Sequence, residues 1–122
     1  MTILRVLLSL QALAVLTQAV FAGQFLSGVD AQVVFHERLG WVIFALSVAQ
    51  IAVAAVLLRV GAPLWLLVAS IFIFIAEGLQ VGTGYGRFLG VHIPLGVFVF
   101  GVVTWLMLWS LRPKPFHHKK RA

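Results

Sequence analysis

Residues 35–58 read FHERLGWVIFALSVAQIAVAAVLL, and residues 91–111 read VHIPLGVFVFGVVTWLMLWSL. Each stretch opens on His-x-x-Leu-Gly and continues as an apolar run long enough to cross a hydrocarbon layer, which takes roughly 20 helical residues. Two more runs of that kind flank them, so the expected spans are about 3–26, 31–58, 63–84 and 89–112. The composition agrees: 62% of the 122 residues are hydrophobic, 10% are charged, and mean hydropathy is +1.10. A soluble domain of this size needs a charged surface that this chain lacks. The expected fold is therefore all-α, a four-transmembrane-helix bundle over residues 1–112, followed by a basic tail over 113–122.

The net charge of +6 follows membrane topology and needs no nucleic-acid partner. Arg5, Arg59, Arg112, Lys114, Lys119, Lys120 and Arg121 fall on one side of a four-span chain, and only Arg38 and Arg87 lie toward the other. The positive-inside rule then places both termini in the cytoplasm of a multi-pass cell-membrane protein, with the connections 27–31 and 84–89 outside. The tail PKPFHHKKRA reads as a topology anchor touching anionic lipid, with His117 and His118 solvated. With no cysteine in the chain, disulfides, thiolate metal sites and covalent haem attachment are excluded. The N-terminal run ends in Val-Phe-Ala, as a signal-peptidase site does, but its apolar stretch exceeds a typical signal region.

Sliding the chain against itself by 56 residues aligns Gln24 with Gln80, Ser27 with Thr83, Gly28 with Gly84, His36 with His92, Leu39 with Leu95 and Gly40 with Gly96. Apolar helices match one another cheaply at Leu or Val; coincident Gln, Gly and His are harder to obtain. The expectation is two tandem helical hairpins related by a pseudo-two-fold axis along the membrane normal. Removing the first helix would destroy one copy. The axis sets His36 and His92 at one depth near the outer face, with Gln24 and Gln80 as an equivalent pair. Gly40 and Gly96 lie one turn below the histidines and leave space for something flat.

A plane held between two facing imidazoles describes a haem, whose iron accepts axial nitrogens from both sides. The expectation is one haem b per chain. His36 and His92 are its ligands; Gly40 and Gly96 make room for it. Gln24, Gln80, Arg38 and Arg87 meet its polar edge. A lone histidine at a helix end would read as an interface residue; two placed by an ungapped repeat read as a pair. Zinc usually takes three or four ligands. Glu77, inside the apolar layer, is a candidate proton-linked group with Arg38 or a haem-linked water as its expected partner. Pro94 requires helix 4 to begin near 89–91 or to kink. Gly82-x-Gly84-x-Gly86 is a loop or close-packing signal, and the tryptophans include interface anchors.

LQVGTGYGRFLGVHIPLGVFVF, with FHERLGWVIF before it, resembles one half of a haem A synthase. That family implies two fused four-helix units, each with haem-ligating histidines on its second and fourth spans, the places of His36 and His92. The chain carries Val33 where the family has a glutamate and lacks the cysteine pair of many members. The resemblance thus implies a haem-binding unit. Two strong axial ligands favour outer-sphere electron transfer, between a quinol or another membrane donor and a redox partner protein. Competing readings are a non-catalytic accessory subunit of a larger membrane complex, and a haem carrier or haem-modifying relative of the synthases. Whether the chain is itself an enzyme, a membrane oxidoreductase, is left open by the residues.

Overall fold

The computed structural model describes residues 1–112, so the basic tail with His117 and His118 lies outside the described residues. Four helices follow one another: α1 (Thr2–Leu26), α2 (Gln32–Arg59), α3 (Leu64–Tyr85) and α4 (Leu89–Leu111). Each begins and ends within one residue of its expected span, and each is long and apolar enough to cross a membrane. In lipid a helix satisfies its own backbone, which is why such runs take this form and no other open structure.

The helix ends are closed by one device used three times. Past α1, the Val29 N–H reaches the Gln24 carbonyl and the Gly28 N–H reaches that of Phe25, with Gly28 at φ +96°. Past α2, Ala62 and Gly61 bond Leu57 and Leu58 in the same way, with Gly61 at φ +93°. These are Schellman motifs, whose left-handed residue is usually glycine because a Cβ is strained there. Past α3, Phe88 bonds Thr83 and Arg87 bonds Gly84, but the left-handed residue is Arg87 at φ 56°. Pro94 sits in the second turn of an α4 that begins at Leu89, so the Gly90 carbonyl loses its in-helix donor there.

Helix α1 packs on α2 and α4, and α3 packs on the same two, while the diagonal pairs α1/α3 and α2/α4 have no close backbone approach. Each helix buries one stripe. In α2 it is Gly40, Ile43, Ser47, Gln50 and Ala54; in α4, Val99, Val103, Leu106 and Ser110, each 56 residues after its α2 counterpart. In α1 it includes Leu4, Leu8, Gln11 and Val15; in α3, Leu66, Ser70, Ile73 and Glu77, each 62 residues later. Alternating steps of three and four residues give the 3.5-residue period of helices wound left-handedly about one another.

The other faces stay apolar and uncovered: Leu13, Val48, Phe72 and Phe98 are about half exposed, as side chains facing lipid would be. The bundle has two unlike ends. At the end carrying the N-terminus, Leu4, Leu8, Leu66, Val103 and Leu106 are wholly buried, Trp65 packs edge-on against Trp109 at 4.5 Å, and the Arg5 Nε donates to the Ser110 carbonyl at 2.7 Å. At the opposite end, reached by the 27–31 and 86–88 connections, the bundle opens. That end holds both histidines.

Candidate functional site

His36 enters from α2 and His92 from α4, diagonal helices whose rings meet across the bundle axis with centres 5.9 Å apart and planes at 69°. Each ring is fixed by the helix beside it. The His36 Nδ1 lies 3.0 Å from the Gln18 carbonyl, and the His92 Nδ1 lies 2.9 Å from the Gln80 carbonyl. A carbonyl only accepts, so in both rings Nδ1 carries the proton and, in neutral imidazole, Nε2 keeps its lone pair. The glutamines answer in kind. Gln18 Nε2 donates to the His36 carbonyl at 3.2 Å, and Gln80 Nε2 donates to the His92 carbonyl at 2.8 Å. Each hairpin thus holds a reciprocal clasp, with the histidine side chain on the glutamine backbone and the glutamine side chain on the histidine backbone.

The clasp explains the glycines one turn below. A Cβ on Gly40 would stand 2.8 Å from the Gln18 amide nitrogen, and one on Gly96 would stand 2.7 Å from that of Gln80. The space the sequence suggested for something flat is taken, on that side, by a glutamine amide. A third glycine fixes the second ring: a Cβ on Gly84 would come within 3.0 Å of His92 Cε1.

Of the residues expected at the site, His36, His92, Gly40, Gly96, Gln80, Arg87 and Glu77 line one cavity of about 460 Å³. Gln24 and Arg38 do not; both are exposed. The partner of His36 is Gln18, which the gapless comparison overlooked. Eighteen residues separate Gln18 from His36 and twelve separate Gln80 from His92. The difference lies in a longer end to α1, a longer connection and one more residue ahead of His36. Allowing a gap between the first and second helices of each hairpin would have found it. Ser27 turns back onto the Gly23 carbonyl, whereas Thr83 lies 3.4 Å from His92 Nδ1.

The expected Glu77–Arg38 pair does not form: Gln11 Nε2 of α1 holds the Glu77 Oε1 at 2.6 Å. On the cavity rim the Trp41 indole donates to the Tyr85 hydroxyl, which donates to Glu37.

What these residues can hold follows from their geometry. Among the described residues no group of three or more His, Cys, Asp or Glu side chains that could hold a metal ion converges, so a metal bound here would have the histidine pair as its protein ligands. Two imidazoles sharing one metal from opposite sides need metal–nitrogen bonds of about 2 Å and about 1 Å from nitrogen to ring centre, or roughly 6 Å between centres. The observed separation of 5.9 Å is close to that spacing, and a pair ligating along one axis would be free to take the 69° between ring planes. Nδ1–H bonds to backbone carbonyls are also what metal-ligating histidines use to fix ring orientation and tautomer. The Gln80 amide nitrogen, 3.4 Å from His92 Nε2, is too distant for a strong hydrogen bond. A plane set between the rings would run from α1 to α3 inside a cavity whose volume is in the usual ligand range of about 300–1,000 Å³.

The fold and site together define a multi-pass membrane bundle with a clasped histidine pair over an apolar-lined cavity. No protein-family model, curated protein or solved structure matches the chain.

Proposed function

We propose that this chain is a membrane haem protein in which His36 and His92 ligate a single b-type haem from opposite faces. The observation that carries the reading is the matched pair of Nδ1–H bonds to the Gln18 and Gln80 carbonyls, with ring centres 5.9 Å apart. Together they orient both rings, leave Nε2 unprotonated in each neutral imidazole, and set the ring centres near the spacing that a shared metal would need.

Arg87 adds support. It occupies a left-handed position that glycine takes at the equivalent ends of α1 and α2, a cost of roughly 1–2 kcal/mol, and it lines the cavity. A strained residue at a cavity mouth is where function is expected, and its guanidinium suits a carboxylate edge. The likeness of the sequence to half of a haem A synthase agrees with this reading, as does the ungapped repeat that places His36 and His92 56 residues apart.

Bound there, the haem would supply one-electron redox chemistry. The protein would fill both axial positions, orient the rings and seat the carboxylate edge at Arg87. The chain would then pass electrons between a membrane donor such as a quinol and an acceptor on the histidine side, which the cation distribution makes the outer side. Expression with haem supply should give a sharp low-spin b-type spectrum at about one haem per chain, and His36→Ala or His92→Ala should leave a five-coordinate or empty site. A folded, colourless wild-type protein would show that the clasps serve helix packing alone.

A further inference from the structure

Beneath the histidines the bundle axis stays polar for two more layers. Glu77 of α3 and Gln11 of α1 meet there across the diagonal, both almost fully buried. Ser47 of α2 lies against the carboxyl, but its hydroxyl proton goes to the Phe44 carbonyl at 2.7 Å. One layer on, the Gln50 Nε2 of α2 donates to the Ser70 Oγ of α3 at 3.1 Å. The arrangement has too many acceptors. Gln11 Oε1, Gln50 Oε1 and Glu77 Oε2 are buried without a partner.

A buried carboxylate that accepts one hydrogen bond is costly, and a proton relieves the shortage directly. Protonated Glu77 becomes a donor, and the Gln11 amide can meet it with Oε1 after a half-turn about its terminal bond. The same 2.6 Å contact therefore serves both protonation states with no movement of the backbone.

The two directions out of this layer differ. Toward the histidine end, Glu77 lines the cavity itself. The other ionisable groups sharing that cavity are His36 and Glu37 from α2, Tyr85 from the end of α3, Arg87 after it and His92 from α4; α1 adds only neutral side chains. Toward the terminal end, Leu8 and Leu106 stand level with the Gln50–Ser70 pair and Leu4 and Leu66 follow it, all four with no exposed surface. Apolar packing of that kind holds no water.

We propose that Glu77, with Gln11 as its reversible partner, is a proton-binding site that exchanges with the cavity alone, the leucine layers sealing it from the opposite membrane face. This holds whether or not the histidines carry a haem.

The chain's other acidic side chains are Asp30 and Glu37, both exposed, which makes infrared assignment direct. Protein inserted in one orientation into vesicles, sorted by an N-terminal tag, would be titrated from each side while the protonated-carboxyl stretch is followed in H2O and D2O. The expected result is a band that titrates only with the pH on the histidine side, is lost in Glu77→Gln, and responds to both sides in Leu106→Ser. Should Glu77→Gln fail to fold, Glu77→Asp assigns the band by moving its frequency. The proposal is overturned if the wild type shows no such band at any pH, if the band survives in Glu77→Gln, or if it follows the pH of the terminal side.

Discussion

Replacing Gly96 by Ala tests the clasp with one methyl group. The new Cβ would lie 2.7 Å from Gln80 Nε2, closer than carbon and nitrogen tolerate, so the amide must leave its 2.8 Å bond to the His92 carbonyl. A hydrogen bond inside a membrane protein averages about 0.6 kcal/mol. Stranding the half-buried groups it joined adds about 1–3 kcal/mol. Against this, Gly-to-Ala in a helix gains up to about 1 kcal/mol. The net expectation is a loss of about 1–2 kcal/mol. Gly101→Ala, in the same helix with nothing within 4 Å of the new atom, isolates the propensity gain and should stabilise by up to about 1 kcal/mol. Unfolding of both variants in mixed micelles gives the two values. The double variant Gly96→Ala, Gln80→Ala should recover most of the loss, because the clashing amide is gone. The reasoning is refuted if Gly96→Ala is as stable as Gly101→Ala.

The remaining predictions use the same assays. Gln18→Leu should cost about 1–2 kcal/mol while Gln24→Leu changes stability by less than about 0.5, a contrast read by parallel melts. Arg87→Gly should stabilise the haem-free protein by about 1 kcal/mol through relief of the left-handed backbone and weaken haem retention, as followed by haem transfer to an apoglobin. Gln11→Leu should destabilise by about 1–3 kcal/mol at neutral pH by stripping Glu77 of its donor, and the loss should shrink in Gln11→Leu, Glu77→Leu.

Much of the architecture is readable from spans and spacing alone, because lipid permits few forms for long apolar runs and the ends fall at glycine, proline and charge. His36 with Gly40 and His92 with Gly96 are legible for a related reason: each pair lies within one helix, where a fixed rise converts sequence spacing into geometry. Relations between helices are not legible in that way. Gln24 matches Gln80 in a gapless register, yet Gln18 does the work, because the first hairpin is six residues longer between its glutamine and its histidine. Charge points Glu77 to Arg38, but a neutral side chain on the diagonal helix reaches it first. Nothing in the spacing of residues 11 and 77 announces that meeting. It depends on the lateral order of the helices, which a hydropathy pattern does not encode.

The unequal hairpins also shape how the cavity meets its surroundings. Past its clasp glutamine α1 runs three residues further than α3 does, roughly 4.5 Å of extra wall, and Phe25 and Leu26 on that extension line the cavity. Across the opening the lower side is formed by Tyr85 and Arg87. The rim therefore slopes, greasy where it stands tall and polar where it dips. On the proposed reading, a flat amphiphile would enter with its charged edge over the low sill, which would give it one way round to lie between two otherwise similar histidines.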